Sequence, residues 1–160
     1  MLDLIIKNGS CYIDKDLKDQ DIAIKDGKII KIGKIDSEAK ETFDAGGLTV
    51  LPGCIDTQTH FREPGSTDTE DLHSGSRAAI VGGITSVFEM PNTNPPTSTK
   101  VEFQKKLDLA KNRMYCNYAF YFGATADNAN ELADLVNLEG CCGIKLFAGS
   151  STGNLLVAEE

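Results

Sequence analysis

Basic side chains are scarce in this sequence. Sixteen Lys and Arg stand against 24 Asp and Glu, a formal net charge of −8 with a pI of about 4.8. So acidic a chain lacks the basic face that phosphate backbones require, which argues against nucleic acid as a partner. Long apolar runs are missing too. The aliphatic stretches break after five or six residues, far short of the roughly 18 of a membrane span. The start, MLDLIIKNGS, lacks the basic and long apolar regions of a secretion signal, so a cytoplasmic setting is expected. There the five cysteines (11, 54, 116, 141 and 142) read as reduced thiols. No Cys-x-x-Cys pair exists, which disfavours a cysteine zinc site. A Gly-x-Gly-x-x-Gly fingerprint and a P-loop are likewise absent, which weakens a nucleotide-binding reading. Histidine is the scarcest chemical resource: only His60 and His73 are present. What remains is globular in kind, with 41% hydrophobic and 25% charged residues in 160 positions, enough for a real core.

Residues 1–50 read as a small β-domain. Leu2, Leu4 and Ile6 alternate with more polar positions. In DIAIKDGKIIKIG, Ile22 and Ile24 precede Asp26-Gly27, and Ile30 and Ile32 follow it. Asp-Gly supplies the positive φ that a two-residue type I′ turn needs, and the alternating isoleucines predict one buried face. The texture changes from residue 51 onward. Strand-like runs reach Ile55 (LTVLPGCI), span Thr85 to Met90 (TSVFEM) and Cys116 to Phe122, and cover Gly143 to Ala148 (GIKLFA). Helical patterns lie between them, over Glu70–Val81, after a Thr99/Glu102 capping pair, and over Ala126–Leu138, where Leu132, Leu135, Val136 and Leu138 are expected to face inward. Four strands alternating with three helices at βαβ spacing predict an α/β fold with a parallel sheet, either doubly wound or part of a (β/α)8 barrel. A complete barrel takes about 250 residues. The 110 residues after position 50 would make half of one.

Three polar clusters carry candidate chemistry. In DTQTHFREPG, strand alternation puts Asp56, Gln58, His60 and Arg62 on one face, an imidazole beside a guanidinium that suits a carboxylate. Taken singly, such a histidine is more often structural than a ligand. In EMPNTNPP, Asn92 can donate from a rigid turn, although asparagines in a proline-rich loop commonly just form Asx turns. In GIKLF, Lys145 stands between apolar neighbours. It is either a buried amine able to form a Schiff base or a carbamate, or an edge residue snorkelling to solvent. Ile144 and Leu146 should then face the opposite way, into the sheet–helix packing.

Together LPGCIDTQTHFREPG, GGITSVFEMPNTNP and GIKLFAGSSTG resemble the first half of a cyclic amidohydrolase, most closely dihydroorotase, with allantoinase and dihydropyrimidinase as relatives. The resemblance implies residues 1–50 as a partial β-sandwich and residues 51–160 as the first four βα units of a TIM barrel. It also implies one or two zinc ions at the barrel mouth. His60 matches the second histidine of the family's His-x-His, while Gln58 stands where the first would be, a weaker ligand. Lys145 matches a lysine that is carbamylated in many members and bridges two metals. Arg62 and Asn92 match the positions that hold a substrate carboxylate. The implied reaction is reversible hydrolysis of dihydroorotate to N-carbamoyl-aspartate, a step of pyrimidine biosynthesis. No catalytic general base is assignable, since the family's late-barrel aspartate and further histidines have no counterpart here, and the 160 residues alone are expected to be inactive. The alternatives are an allantoinase- or dihydropyrimidinase-like hydrolase, or a noncatalytic dihydroorotase-like scaffold partner, which Gln58 keeps in play. A homo-oligomer or association with another pyrimidine-pathway enzyme fits either. His73 is read as a helix-packing or solvent-side residue.

Overall fold

The computed structural model describes residues 1–149 and 155–157. The chain divides into two compact units, Met1–Pro52 and Gly53–Glu160. The last part of the third motif, residues 150–153, lies outside the described residues, as do residues 154 and 158–160.

The first unit is a five-stranded sheet of β1 (Leu2–Ile13), β2 (Asp16–Lys25), β3 (Lys28–Gly33), β4 (Ala39–Asp44) and the short β5 (Thr49–Val50). β2 and β3 form the expected hairpin. Asp26 and Gly27 both take positive φ, 51° and 71°, as a type I′ turn requires. The expected buried face holds only in part. Ile22 is buried, but Ile30 and Ile32 of β3 are exposed, as is Ile29, and the packed cluster is made by Ile5, Ala23 and Ile35. The reason is topological: in the order β3-β2-β1-β4, β3 is an edge strand. Register places Phe43, Ile6, Ile22 and Ile32 in one cross-strand row on the opposite face from Ile5 and Ala23.

The second unit is a four-stranded parallel sheet, β6 (Cys54–Thr59), β7 (Ile84–Glu89), β8 (Asn117–Gly123) and β9 (Cys141–Lys145), in sequential order. Helices α1 (Leu72–Val81), α2 (Lys100–Ala110) and α3 (Leu132–Leu135) connect the strands. The alternation predicts such a parallel sheet, and of the two architectures left open the sequential strand order is that of a half-barrel. Phe61, Leu72, Val87, Phe103, Phe120, Phe122 and Leu135 form the core between sheet and helices. α1 is capped by Asp71, whose carboxylate accepts from the Ser74 amide while the Ser74 hydroxyl returns to the Asp71 amide. Thr99 caps α2 by accepting from the Glu102 amide.

Two elements depart from the periodic reading. The expected helix over 126–138 shrinks to a 3-10 turn at Ala129–Glu131 and the single turn of α3, and Val136 is exposed. Asn128 explains the late start. Its side chain accepts from the Thr125 amide and donates to the Ser98 and Gly123 carbonyls, so it braces a loop instead of joining a helix. The expected fourth strand starts earlier, at Cys141, and ends at Lys145. Ile144 packs into the sheet–helix core as expected, but Leu146 lies beyond the strand and is exposed.

Candidate active site at the ends of the parallel strands

His60, Asn92 and Lys145 lie at or just past the C-terminal ends of β6, β7 and β9, where barrel folds place their chemistry. The first two meet. His60 Nδ1 is 2.9 Å from Asn92 Oδ1 in a partly buried contact. An amide oxygen only accepts, so Nδ1 carries the proton and the Nε2 lone pair is left for a ligand. The Asn92 side chain thus reaches across to the neighbouring strand. The loop itself is tied by other groups: Pro91 O accepts from the Thr93 and Thr97 amides, both at 2.9 Å, and the Thr93 hydroxyl bonds Pro95 O at 2.9 Å.

Backbone pairing sets this meeting. The Met90 amide donates to Thr59 O at 2.9 Å, joining the two chains one residue before His60 and two before Asn92. Phe61 turns into the core against Gly75, where a Cβ would fall 2.5 Å from its ring. Arg62 is exposed, and its carbonyl accepts the Ser66 amide in a turn. Strand alternation therefore does not run through to Arg62 as regular extended chain. Its guanidinium field still reaches Glu89, whose carboxyl it favours in the charged form. Gly65 takes a φ of 124°, and a Cβ there would meet Asn94 at 3.0 Å, so the REPG turn lies against the MPNTNP loop. The Asn94 amide donates to Pro64 O at 3.0 Å across the same junction.

Gln58 is exposed near the end of β6, its backbone N–H donating to the Asp56 carboxylate at 2.9 Å. The Lys145 side chain is half-buried. Its ammonium lies 5.0 Å from the centre of the Phe147 ring, two residues on along the same face. His73 is away from this site. It is exposed on α1, 3.3 Å from the Tyr115 hydroxyl and edge-on to its ring. Burial pushes the Cys142 thiol up to about 12, so it offers no thiolate nucleophile. A groove of about 800 Å3 between α2 and the loop before β9, lined by Gln104, Leu107, Tyr118 and Gly140, contains none of His60, Arg62 or Asn92.

For a metal, these residues supply one well-formed donor, His60 Nε2. Among the described residues no three His, Cys, Asp or Glu side chains converge, so they do not by themselves make a metal centre.

Two buried carboxylates carry weight that the motif reading did not assign. Glu63, of the REPG turn, receives both terminal nitrogens of Arg113 at 2.8 and 3.0 Å and the Leu72 amide at 3.0 Å. It fixes the turn to the N-terminus of α1 and to the segment after α2. Glu89, the last residue of β7, is buried and ion-paired with Lys106 of α2. The signal for this second pair was available: alternation in TSVFEM puts Glu89 on the buried face with Val87, and Lys106 follows Phe103 by three on α2.

The profile of the Amidohydrolase family matches residues 49–145. Allantoinase of Escherichia coli O1:K1 is 40% identical over 92% of this chain and 33% of its own. Dihydroorotase of Methanosarcina mazei is 40% identical over 100% of this chain and 35% of its own. Among solved structures, the L-hydantoinase (dihydropyrimidinase) of Arthrobacter aurescens superposes with a TM-score of 0.89 at 33% identity, covering 98% of this chain and 35% of that one. This chain therefore spans about a third of the length of these relatives. With the family profile covering most of the parallel half-barrel and both characteristic loops, the chain belongs to the amidohydrolase family.

Proposed function

We propose that this chain carries the first half of the site of a metal-dependent cyclic amide hydrolase of the dihydroorotase type, which interconverts dihydroorotate and N-carbamoyl-aspartate. The observation that carries the reading is the His60–Asn92 bond, which turns Nε2 of the one imidazole at the strand ends into a free donor. His60 is the proposed zinc ligand, with Lys145 as a further ligand if carbamylated and Gln58 as a weak one. Bound there, zinc would supply a Lewis acid and an activated water. Arg62 is exposed and close enough to Glu89 to act on it electrostatically, so its fork is available to a substrate carboxylate. Asn92 is the second proposed carboxylate contact, donating through its amide nitrogen while its oxygen holds His60. The remaining ligands and the general base would come from outside the described residues, so the 160-residue chain alone is proposed to be inactive.

A second reading has specific support. The Escherichia coli allantoinase is as similar as the Methanosarcina dihydroorotase, 40% in each case. Allantoin is a cyclic ureide without a ring carboxylate, so a carboxylate-binding role for Arg62 separates the two. The test is a chimera in which residues 1–149 replace the matching third of the Methanosarcina dihydroorotase. Turnover of dihydroorotate that His60→Ala abolishes and Gln58→His raises supports the proposal. Turnover of allantoin alone moves the assignment to the second reading, and no turnover of either removes both.

A further inference from the structure

Lysine is almost never fully buried, and a buried ion pair is a poor source of stability, because desolvation offsets the attraction. Lys106 and Glu89 are nevertheless both fully buried, in the layer between the sheet and α2. The pair is linked to the His60–Asn92 contact through Met90, two residues before Asn92. Lys106 Nζ donates to the Met90 carbonyl at 3.1 Å and sits 5.1 Å from the centre of the Phe120 ring. Glu89 balances the ammonium, and among the described residues neither of its oxygens has a hydrogen bond of good geometry. It does not anchor its own strand end; it holds the lysine.

The consequence is geometric. The Met90 amide is fastened to β6 through Thr59 O, and the Met90 carbonyl is fastened to α2 through Lys106. Both peptide units flanking Met90 are thereby fixed, and Pro91 next to it has a locked φ. The first side chain beyond that clamp is Asn92, whose oxygen meets Nδ1 of His60, the residue after Thr59. Thr59–Met90 and His60–Asn92 are two rungs of one short ladder, and Lys106 holds one rail from inside the core.

We propose that Lys106 is a positioning residue: by gripping the Met90 carbonyl it aims Asn92 at His60 and so holds the imidazole in the tautomer that leaves Nε2 free. The inference deepens the proposed amidohydrolase site, but its test needs neither metal nor substrate.

The experiment uses the metal-free chain with 15N-labelled histidine. The imidazole nitrogen shifts of His60 and His73 are read above neutral pH. In the unaltered chain His60 shows two well-separated nitrogens with the proton on Nδ1. In Lys106→Met the two His60 shifts move toward each other as the tautomers mix, while those of His73, exposed on α1 and bonded to Tyr115, stay fixed. Because Lys106→Met leaves Glu89 buried alone, Glu89→Leu/Lys106→Met is made alongside it, removing the charge as a pair. A folded double variant whose His60 keeps the separated pattern overturns the proposal. Loss of the folded amide spectrum in both variants overturns it as well, since Lys106 would then serve stability. A chain that passes this test while the chimera is inactive on either substrate refutes the proposed function and leaves the positioning role standing.

Discussion

The two buried glutamates of the half-barrel are held in opposite ways. Glu63 has three good donors, two from one arginine and one from a helix N-terminus. Among the described residues Glu89 has one lysine and no hydrogen bond of good geometry. Their electrostatics differ accordingly. The Glu63 carboxylate holds the Arg113 guanidinium above its usual range. Burial pushes the Glu89 carboxyl up to about 7, with Lys106 and Arg62 only partly opposing it, and the same burial holds the Lys106 ammonium below its usual range. A satisfied buried charge is a rivet. An under-satisfied one is costly, and it persists where it fixes a geometry that packing alone would leave loose.

The comparison breaks most directly by removing one partner from the satisfied site. Glu63→Ala leaves Arg113 without its fork partner and the Leu72 amide without an acceptor. Losing one side of a buried pair costs about 3–5 kcal/mol. Arg113 is about a third exposed, so the expected loss lies at the lower end, about 3 kcal/mol, read by urea unfolding. The apolar pair Glu89→Leu/Lys106→Met should lose much less, or even gain stability. Equal losses at the two sites would end the distinction.

Arg62 tests the side of the REPG turn that faces away from its rivet. Arg62→Lys in an active chimera keeps the charge but not the planar fork. Losing a charged hydrogen bond costs on the order of 1.5–3 kcal/mol, or one to two decades in kcat/KM for dihydroorotate. The Glu63–Arg113 pair is untouched, so stability should hold. Unchanged kcat/KM would remove Arg62 from substrate binding.

The pH response separates Glu89 from Asp71 in a single titration. Glu89 keeps its proton up to about 7 in the fold, against an ordinary value of 4.5. Between those values the folded chain holds a proton that the unfolded chain has released, so this group makes stability rise as pH falls from about 7 toward 4.5. The limiting slope is one proton, about 1.4 kcal/mol per pH unit. The charged groups facing Glu89 are Lys106 from α2 and Arg62 from the β6 loop, and the Cys142 thiol of β9 feels its charge. Glu89→Gln should flatten the slope. Asp71, whose carboxyl is lowered by its bonds to Ser74, works the other way: its contribution is present above its ordinary value of 3.8 and is lost as pH falls through its lower folded value. A slope unchanged in Glu89→Gln would show that another group carries it.

What the sequence made legible follows the range of the physics. The hairpin at Asp26-Gly27, the cap at Thr99 and the strand–helix alternation are local, and the structure has them. The exposure of β3 could not be read, because an edge strand has the same isoleucine pattern as a central one. The short α3 is not legible because leucine spacing says nothing about Asn128, whose side chain binds the Ser98 carbonyl before α2 and the Gly123 carbonyl at the end of β8. At the site, His60, Asn92 and Lys145 were legible as chemistry at strand ends. The contact between the first two depends on which residues pair across β6 and β7, which no single-strand pattern contains. Glu63 and Arg113 lie 50 residues apart, and nothing in REPG names an arginine beyond α2 as its partner.

The smallest expected effect concerns the helix that carries Lys106. Thr99 accepts the Glu102 amide at 3.2 Å, and Thr99→Ala removes that cap at a cost of about 1 kcal/mol. Lys106 lies nearly two turns further along α2 and is held by Glu89, Met90 O and the Phe120 ring. Fraying of the first turn should therefore stop before it reaches the clamp. Thr99→Ala should lower the urea midpoint slightly and leave the His60 nitrogen shifts where they are. A tautomer shift in Thr99→Ala as large as that in Lys106→Met would mean that the helix as a whole aims Asn92, and the lysine would lose its special standing against the Glu63 rivet.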